Sequence, residues 1–379
     1  MLDLIVKGGR VLDPATGRDE IADIGFAGGV IASIGAGMPL RAEQTIDARG
    51  LLVVPGLIDL HTHVYWGGTS LGVDAGTVAE RSGTTTFVDA GSAGPGNFPG
   101  FRKHVIERSP LRILPFLNVS FPGIFAFSST VMVGEAADLR LIEPRECVRV
   151  IEANRDLIVG VKVRVGRGAG GASGAAPLDI AIEVAEEVGL PVMAHLDNPP
   201  PSRLEVLSRL RRGDVLTHCF RPFPNAPVRR NGEIREEVQE ARRRGVIFDI
   251  GHGGGSFGFR TAEKMLEAGF LPDVISSDVH SLSINGPAFD QLVTMSKFLA
   301  LGVELGVVIR ASTAAPAAAL RRGDLGQLTV GAAGDATLLE LVEGQFEFRD
   351  VLGEVRRGRQ QFRLRGMVVA GSPWSPTRD

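Results

Sequence analysis

Eight short apolar runs, spaced by stretches of helical character, fill residues 55–322 and constrain the fold more than any other feature. The runs are "GLIDLHTH", "TTTFVDA" (84–90), "LRILPFLNV" (111–119), "LIVGVKVRV" (157–165), "PVMAHL" (191–196), "DVLTHC" (214–219), "VIFDIGH" (246–252) and "DVISSD" (273–278). Between them lie segments such as "PLDIAIEVAEEVG", "REEVQEARRRG" and "RTAEKMLEAG". Their apolar residues recur at helical spacing and each ends in glycine. Eight strand–helix units in about 270 residues match the size of a (β/α)8 barrel. A doubly wound parallel sheet is the competing arrangement. The first fifty residues differ, with short strand-like runs broken by Gly-Gly turns ("LDLIVKGGRVLD", "IADIGFAGGVIASIGAG"). The end of the chain resembles them ("DATLLELV", "FEFRDV", "QQFRLRGMVVAG"). The expected fold is therefore α/β: a (β/α)8 TIM barrel over 55–322, inserted into a small β-sandwich domain built from both termini, 1–54 and 323–379.

Charge and cysteine content narrow the function classes. The formal net charge of the 379 residues is −3, which gives nucleic acid or a membrane surface no electrostatic reason to bind. Cys147 and Cys219 are the only cysteines, so no disulfide framework is expected. The opening "MLDLIVKGGRV" reads as a strand, not a signal peptide, and no run reaches transmembrane length. A cytoplasmic protein acting on a small-molecule substrate is expected, with no nucleic-acid or membrane partner.

In a barrel of this kind functional residues gather at the C-terminal ends of the strands. His61 and His63 end the first run and point the same way, because strand side chains alternate faces. His195 ends the fifth, His218 the sixth and Asp278 the eighth. A single His-x-His pair is equally compatible with two surface histidines. Four histidines and an aspartate converging on one mouth favour a metal, since neutral imidazole nitrogen is a good zinc ligand. Lys162 stands in the fourth run among Val159, Val161, Val163 and Val165, and is one of only five lysines. Poor solvation and a nearby dication would both favour its neutral amine. A neutral lysine reacts with carbon dioxide to give a carbamate, a two-oxygen anionic ligand able to bridge two metals. Taken alone, Lys162 is equally a side chain reaching to the mouth or a partner in a salt bridge.

The order "PGLIDLHTH", strand-four lysine, two single histidines and strand-eight aspartate resembles the amidohydrolase superfamily of metal-dependent hydrolases. The similarity runs through "GDLGQLTVGAAGDATLLEL" into the terminal β-structure. The stretches "HVYWGGTSLGVDA", "FLNVSFPGI", "VGVKVRVG", "GHGGGSF" and "SSDVHS" are similar to its amidohydrolase/deacetylase branch. The resemblance implies two zinc-like ions. His61, His63 and Asp278 would hold the more buried one and His195 and His218 the other, with carboxylated Lys162 and a hydroxide as bridges. The hydroxide would attack, and Asp278 would carry its proton to the leaving group. Dihydroorotases place an arginine two residues after the second histidine, where this chain has Tyr65. Adenosine-deaminase-like members lack the bridging lysine. Both departures point away from those activities.

Three further residues are candidates for substrate contact. Arg164 shares a strand face with Lys162 and suits a substrate carboxylate or an ion pair with a loop acid. His252 ends the seventh run in "GHGGGSF" and could donate to an oxyanion or a carboxyl. Asn118 ends the third run and could bind substrate or form a turn. The Phe-rich connection "FPGIFAFSSTVMVGEAADL" could wall the pocket or meet a second copy of the chain. The expected activity is hydrolysis of an amide, or an ester, of a small carboxyl-bearing acyl compound, as the deacetylase branch implies. A cyclic amidohydrolase of the dihydroorotase or hydantoinase kind is the alternative, and a non-catalytic barrel scaffold a third.

Overall fold

Seven of the eight apolar runs pair side by side, in chain order and all parallel. In the computed structural model, which describes residues 1–37 and 41–375, they are Leu57–Thr62, Thr84–Ala90, Arg112–Asn118, Gly160–Val165, Val192–Leu196, Val215–Leu216 and Ile247–Phe248. Parallel neighbours need a crossover, and helices lying between the strands supply it. Ala176–Val188 shows why such a segment is helical and where it packs. Its Leu178, Ala181, Val184, Ala185 and Val188 recur at three- and four-residue spacing, and all are buried. The strands carry Val, Ile and Thr with almost every residue buried, as expected for a sheet covered on both faces.

The eighth run departs from expectation. Residues 273–278 form no strand; within and just after them lie only isolated parallel bridges, Val274 with Asp249 and Val279 with Thr62. These bridges still touch both edges of the seven-stranded sheet. The run is cut short because Asp278 takes a left-handed backbone (φ +49°), which ends an extended segment. His218, at φ +63°, does the same to the sixth run, whose strand stops at Leu216.

The two ends of the chain meet in one mixed sheet of eight strands. Leu2–Asp13 pairs antiparallel with Arg18–Ala27 on one edge. Its other edge is shared in succession by Ala42–Asp47 and Leu52–Pro55, both parallel. Leu52–Pro55 then pairs with Ala336–Arg349 from the far end of the chain, which pairs in turn with Val355–Val369. Leu339 lies opposite Leu52 in this register. Both belong to the apolar cluster that also contains Phe87, Val161 and Val192 of the parallel sheet. The terminal sheet therefore shares a core with the parallel one. Leu339 is fully buried, so Leu339→Ala should cost about 2–5 kcal/mol. A urea titration should show a lowered midpoint.

Candidate metal centre

His61 and His63 leave the first parallel strand on one face, their rings 5.4 Å apart. Both Nε2 atoms aim at one carboxylate: Asp278 Oδ1 lies 3.4 Å from His61 Nε2 and 3.3 Å from His63 Nε2. Lys162, wholly buried on Gly160–Val165, places Nζ 3.4 Å from His61 Nε2. His218 packs 5.1 Å from the His61 ring, and His195 sits edge-on to His218 at 4.5 Å. The structure thus brings together all six residues that the sequence pattern singled out.

Three of the four rings, those of His61, His63 and His218, are oriented from behind. Thr217 Oγ1 donates to Asp249 Oδ2 at 2.7 Å and lies 2.7 Å from His61 Nδ1. Its one hydrogen is spent on the carboxylate, so His61 Nδ1 carries the proton and Nε2 presents a lone pair. His218 Nδ1 donates to the Gly251 carbonyl at 2.6 Å, which frees its Nε2 in the same way. His63 Nδ1 lies 2.9 Å from Ser92 Oγ. The turn carrying Ser92 is held by Asp89, which accepts from the Ser92 and Val64 backbone N–H groups.

Burial sets the protonation states. It holds His63 down to about 3 and keeps His61, His195 and His218 well below the ordinary imidazole value. Burial brings Lys162 down to about 7 and lifts Asp278 to about 6. The cluster is a set of neutral nitrogen donors, an amine that is easily deprotonated and one carboxylate. Donor atoms of His61, His218 and Asp278 lie within 4.8 Å of one another. His195 Nε2 is buried without a hydrogen-bond partner. Convergent lone pairs and an orphaned imidazole nitrogen fit a divalent ion, and this donor set suits zinc.

A cavity of about 400 Å³ opens above the cluster. Arg164 lines it, but its Nε is 3.2 Å from Glu135 Oε1 and its guanidinium lies over the Phe127 ring. Arg221 lines it too, with a buried Nε that has no hydrogen-bond partner and with no ion pair among the described residues. Phe127 and Met132, from a short hairpin in the Phe-rich connection, form an apolar wall with Leu71 and Leu282. His280 lies on the same wall.

His252 and Asn118 are not brought to this cavity. His252 is fully buried, with Nδ1 against the Gly253 carbonyl and Nε2 against Lys297 Nζ. Asn118 spends its amide on the Gly91 carbonyl and the Ser120 N–H, which is the turn-forming role. Tyr65 stacks on Phe101 and donates to the Asn97 carbonyl, so it presents no group to the cavity. Sequence reasoning missed Glu135, Arg221, Thr217, Asp249 and Lys297. Thr217 sits one residue before His218 and Asp249 three before His252, where a side-chain partner for a histidine could have been sought.

A buried cluster of neutral imidazoles, lysine and carboxylate at the C-terminal mouth of a parallel sheet defines a metal-dependent hydrolase. Residues 44–95 match the model of the amidohydrolase family. The chain is 36% identical over 92% of its length to a deacetylase of Agrobacterium fabrum, covering 86% of that protein. It superposes on the crystal structure of an adenine deaminase with TM-score 0.92 and 28% identity, covering 99% of this chain and 100% of that one. The crystal structure of a dihydroorotase gives TM-score 0.88 and 33% identity over 99% of each chain. The chain belongs to the amidohydrolase family and is an enzyme that hydrolyses carbon–nitrogen bonds. Among the described residues no helix is long and apolar enough to cross a membrane.

Thr217→Val keeps the shape of the side chain and removes the group that fixes the His61 ring. Divalent-ion affinity should fall about 10–100-fold. Elemental analysis after dialysis against graded chelator measures the loss.

Proposed function

We propose that the chain is a binuclear hydrolase of the deacetylase kind, cleaving an N-acyl bond in a small compound that carries a carboxylate. The observation that carries this reading is the Arg221 guanidinium, bonded to the Leu196 carbonyl but with no ion pair among the described residues, in a cavity centred on His61, His63, Lys162, His195, His218 and Asp278. His61, His63 and Asp278 would hold one zinc ion and His195 and His218 the other, with carboxylated Lys162 between them. Two such ions would lower the pKa of water and polarise the scissile carbonyl. The Asp278 carboxylate would accept a proton from the attacking water and return it to the leaving nitrogen.

We also infer the architecture that holds this site. The parallel sheet with its bridging eighth run is read as a (β/α)8 barrel over 55–322. The terminal sheet, branched where Leu2–Asp13 changes partner along one edge, is read as a composite β-sandwich of 1–54 and 323–379.

Two arginines compete for the substrate anion. Arg164 is paired with the buried Glu135 at 3.2 Å, while Arg221 donates to the Leu196 carbonyl and has no ion pair among the described residues. Arg221 therefore takes the substrate carboxylate, and Arg164 chiefly fixes the hairpin that walls the cavity. The cyclic-amide reading lacks support at position 65, where the side chain faces the core. A substrate panel of N-acyl amino acids, O-acyl hydroxy acids and cyclic imides separates the readings. N-acyl amino acids should be preferred, and turnover of cyclic imides alone would replace this proposal. On the preferred anionic substrate Arg221→Met should raise KM at least tenfold, by about 1.5–3 kcal/mol, and change it little for a neutral analogue. Arg164→Met should have the smaller effect.

Lys162 gives the most direct test of the metal arrangement. The native chain should carry about two divalent ions. Lys162→Ala should lose metal and turnover but keep its fold. Acetate or propionate, entering the vacated space, should restore some of both. Neither should rescue Asp278→Ala, where the proton carrier is missing as well.

A further inference from the structure

Lys297 is the only lysine besides Lys162 that is buried, at 1% exposure, and the chemistry above makes no use of it. It lies on the helix Gln291–Ala300, outside the parallel sheet. Its Nζ donates to the Pro287 carbonyl at 2.8 Å and the Arg349 carbonyl at 2.8 Å, and lies 2.6 Å from His252 Nε2. Three acceptors match the three hydrogens of an ammonium. Among the described residues no carboxylate pairs with it. A buried cation without a counter-ion is costly, and an apolar side chain of the same length would avoid that cost.

What Lys297 gains is a fixed His252. Donation to Nε2 leaves the imidazole proton on Nδ1, which donates to the Gly253 carbonyl at 2.9 Å. The ring face is stacked on Phe257 at 4.7 Å. His252 is thereby held on both edges and one face. Its chain neighbours Gly251 and Gly253 both have left-handed backbones, φ +45° and +52°. They also lie where no Cβ would fit. A side chain at Gly251 would collide with Thr217, His218 and His61, and one at Gly253 with the Asp278 carboxylate. The Gly251 carbonyl is the acceptor that orients the His218 ring. This three-residue segment is a backbone platform pressed against three of the six clustered side chains.

We propose that Lys297 is a positioning residue for the metal centre, acting through His252 to pin the Gly251–Gly253 backbone against His61, His218 and Asp278. The proposal rests on reading those side chains as metal ligands. It also makes the terminal sheet a support of the site, because Arg349 ends the strand Ala336–Arg349.

The test uses the full chain and three variants, Lys297→Met, His252→Phe and the two combined. Divalent-ion affinity is read by competition with a chromophoric chelator, using zinc. Ring-nitrogen NMR of the metal-free protein reads the tautomers of the seven histidines. In the native chain His218 and His252 should both carry the proton on Nδ1. Either single variant should weaken zinc about 10–100-fold and mix the His218 tautomers. The double variant should bind zinc no more weakly than His252→Phe, because both changes cut one link. Native affinity and an unchanged His218 tautomer in folded Lys297→Met would overturn the proposal, as would losses that multiply in the double variant. If Lys297→Met does not fold, His252→Phe decides alone. It leaves the two carbonyl bonds of Lys297 in place, so weakened zinc and mixed tautomers support the proposal and native values overturn it. A native chain that binds no zinc would defeat the metal reading instead, and the tautomer measurement on metal-free protein would still judge the positioning.

Discussion

Desolvation at the mouth of the parallel sheet governs the chemistry of everything around it. Lys162, His61, His63, His218 and Asp278 occupy a volume that water scarcely reaches. Charged forms are disfavoured there whatever their sign. The imidazoles are neutral, Lys162 is drawn down to about 7, and Asp278 and Asp249 are each lifted to about 6. Asp59, beneath the cluster and bonded to Ser277, is lifted further, to about 8. Neutral donors with converging lone pairs have few ways to be satisfied from within the protein. The hydrogen bonds behind His61 and His218 fix the tautomer that turns a lone pair inward, so the inward demand is for a cation. A compact divalent ion meets that demand where another buried ammonium would not.

Backbone strain is the second means of holding the site. His218 and Asp278 both adopt left-handed conformations that cost a β-carbon-bearing residue about 1–2 kcal/mol. Such positions persist when neighbouring bonds over-determine them. Asp278 is fixed by its N–H to the His61 carbonyl at 2.7 Å and by Ser283 Oγ on its own carbonyl at 3.0 Å. His218 is fixed through its ring on Gly251. The same two residues end the sixth and eighth runs. Truncation of those strands and placement of two inward-facing groups are therefore one structural event.

This explains which parts of the molecule were legible in the sequence. Strand parity alone puts His61 and His63 on one face, and regular βα spacing places His195, His218 and Asp278 at the ends of the fifth, sixth and eighth runs. Both rest on short-range rules that hold while the backbone stays extended. The eighth run was expected as a strand because "DVISSD" is apolar and bounded by turns. No local pattern announces the positive φ of Asp278, which is held by the distant His61 carbonyl and by the Ser283 hydroxyl. Arg164 was ambiguous for a similar reason: its partner Glu135 lies in a loop whose path no periodicity describes. His252 looked like a substrate ligand because its motif is glycine-rich. The glycines are there to let backbone approach Thr217, His218 and Asp278, and the imidazole turns outward to Lys297.

The cavity's two sides differ in a way that bears on selectivity. On one side Phe127 is fixed between the Arg164 guanidinium and the edge of His280, with Met132, Leu71 and Leu282 around it. Glu135 pairs with Arg164 there, so on the proposed reading that wall would select by shape and apolar area. On the other side Arg221 stands beside Asp197 without an ion pair, and on the same reading would select by charge. A substrate on the proposed reading is then held at two points of opposite character, with its scissile bond over Lys162 and Asp278. Two anchors that cannot be exchanged fix one orientation of a small molecule, and with it one face of the carbonyl toward the attacking water. On that reading, changing the hairpin residues should alter which apolar group is accepted without touching the cluster of His61, His63, Lys162, His195, His218 and Asp278.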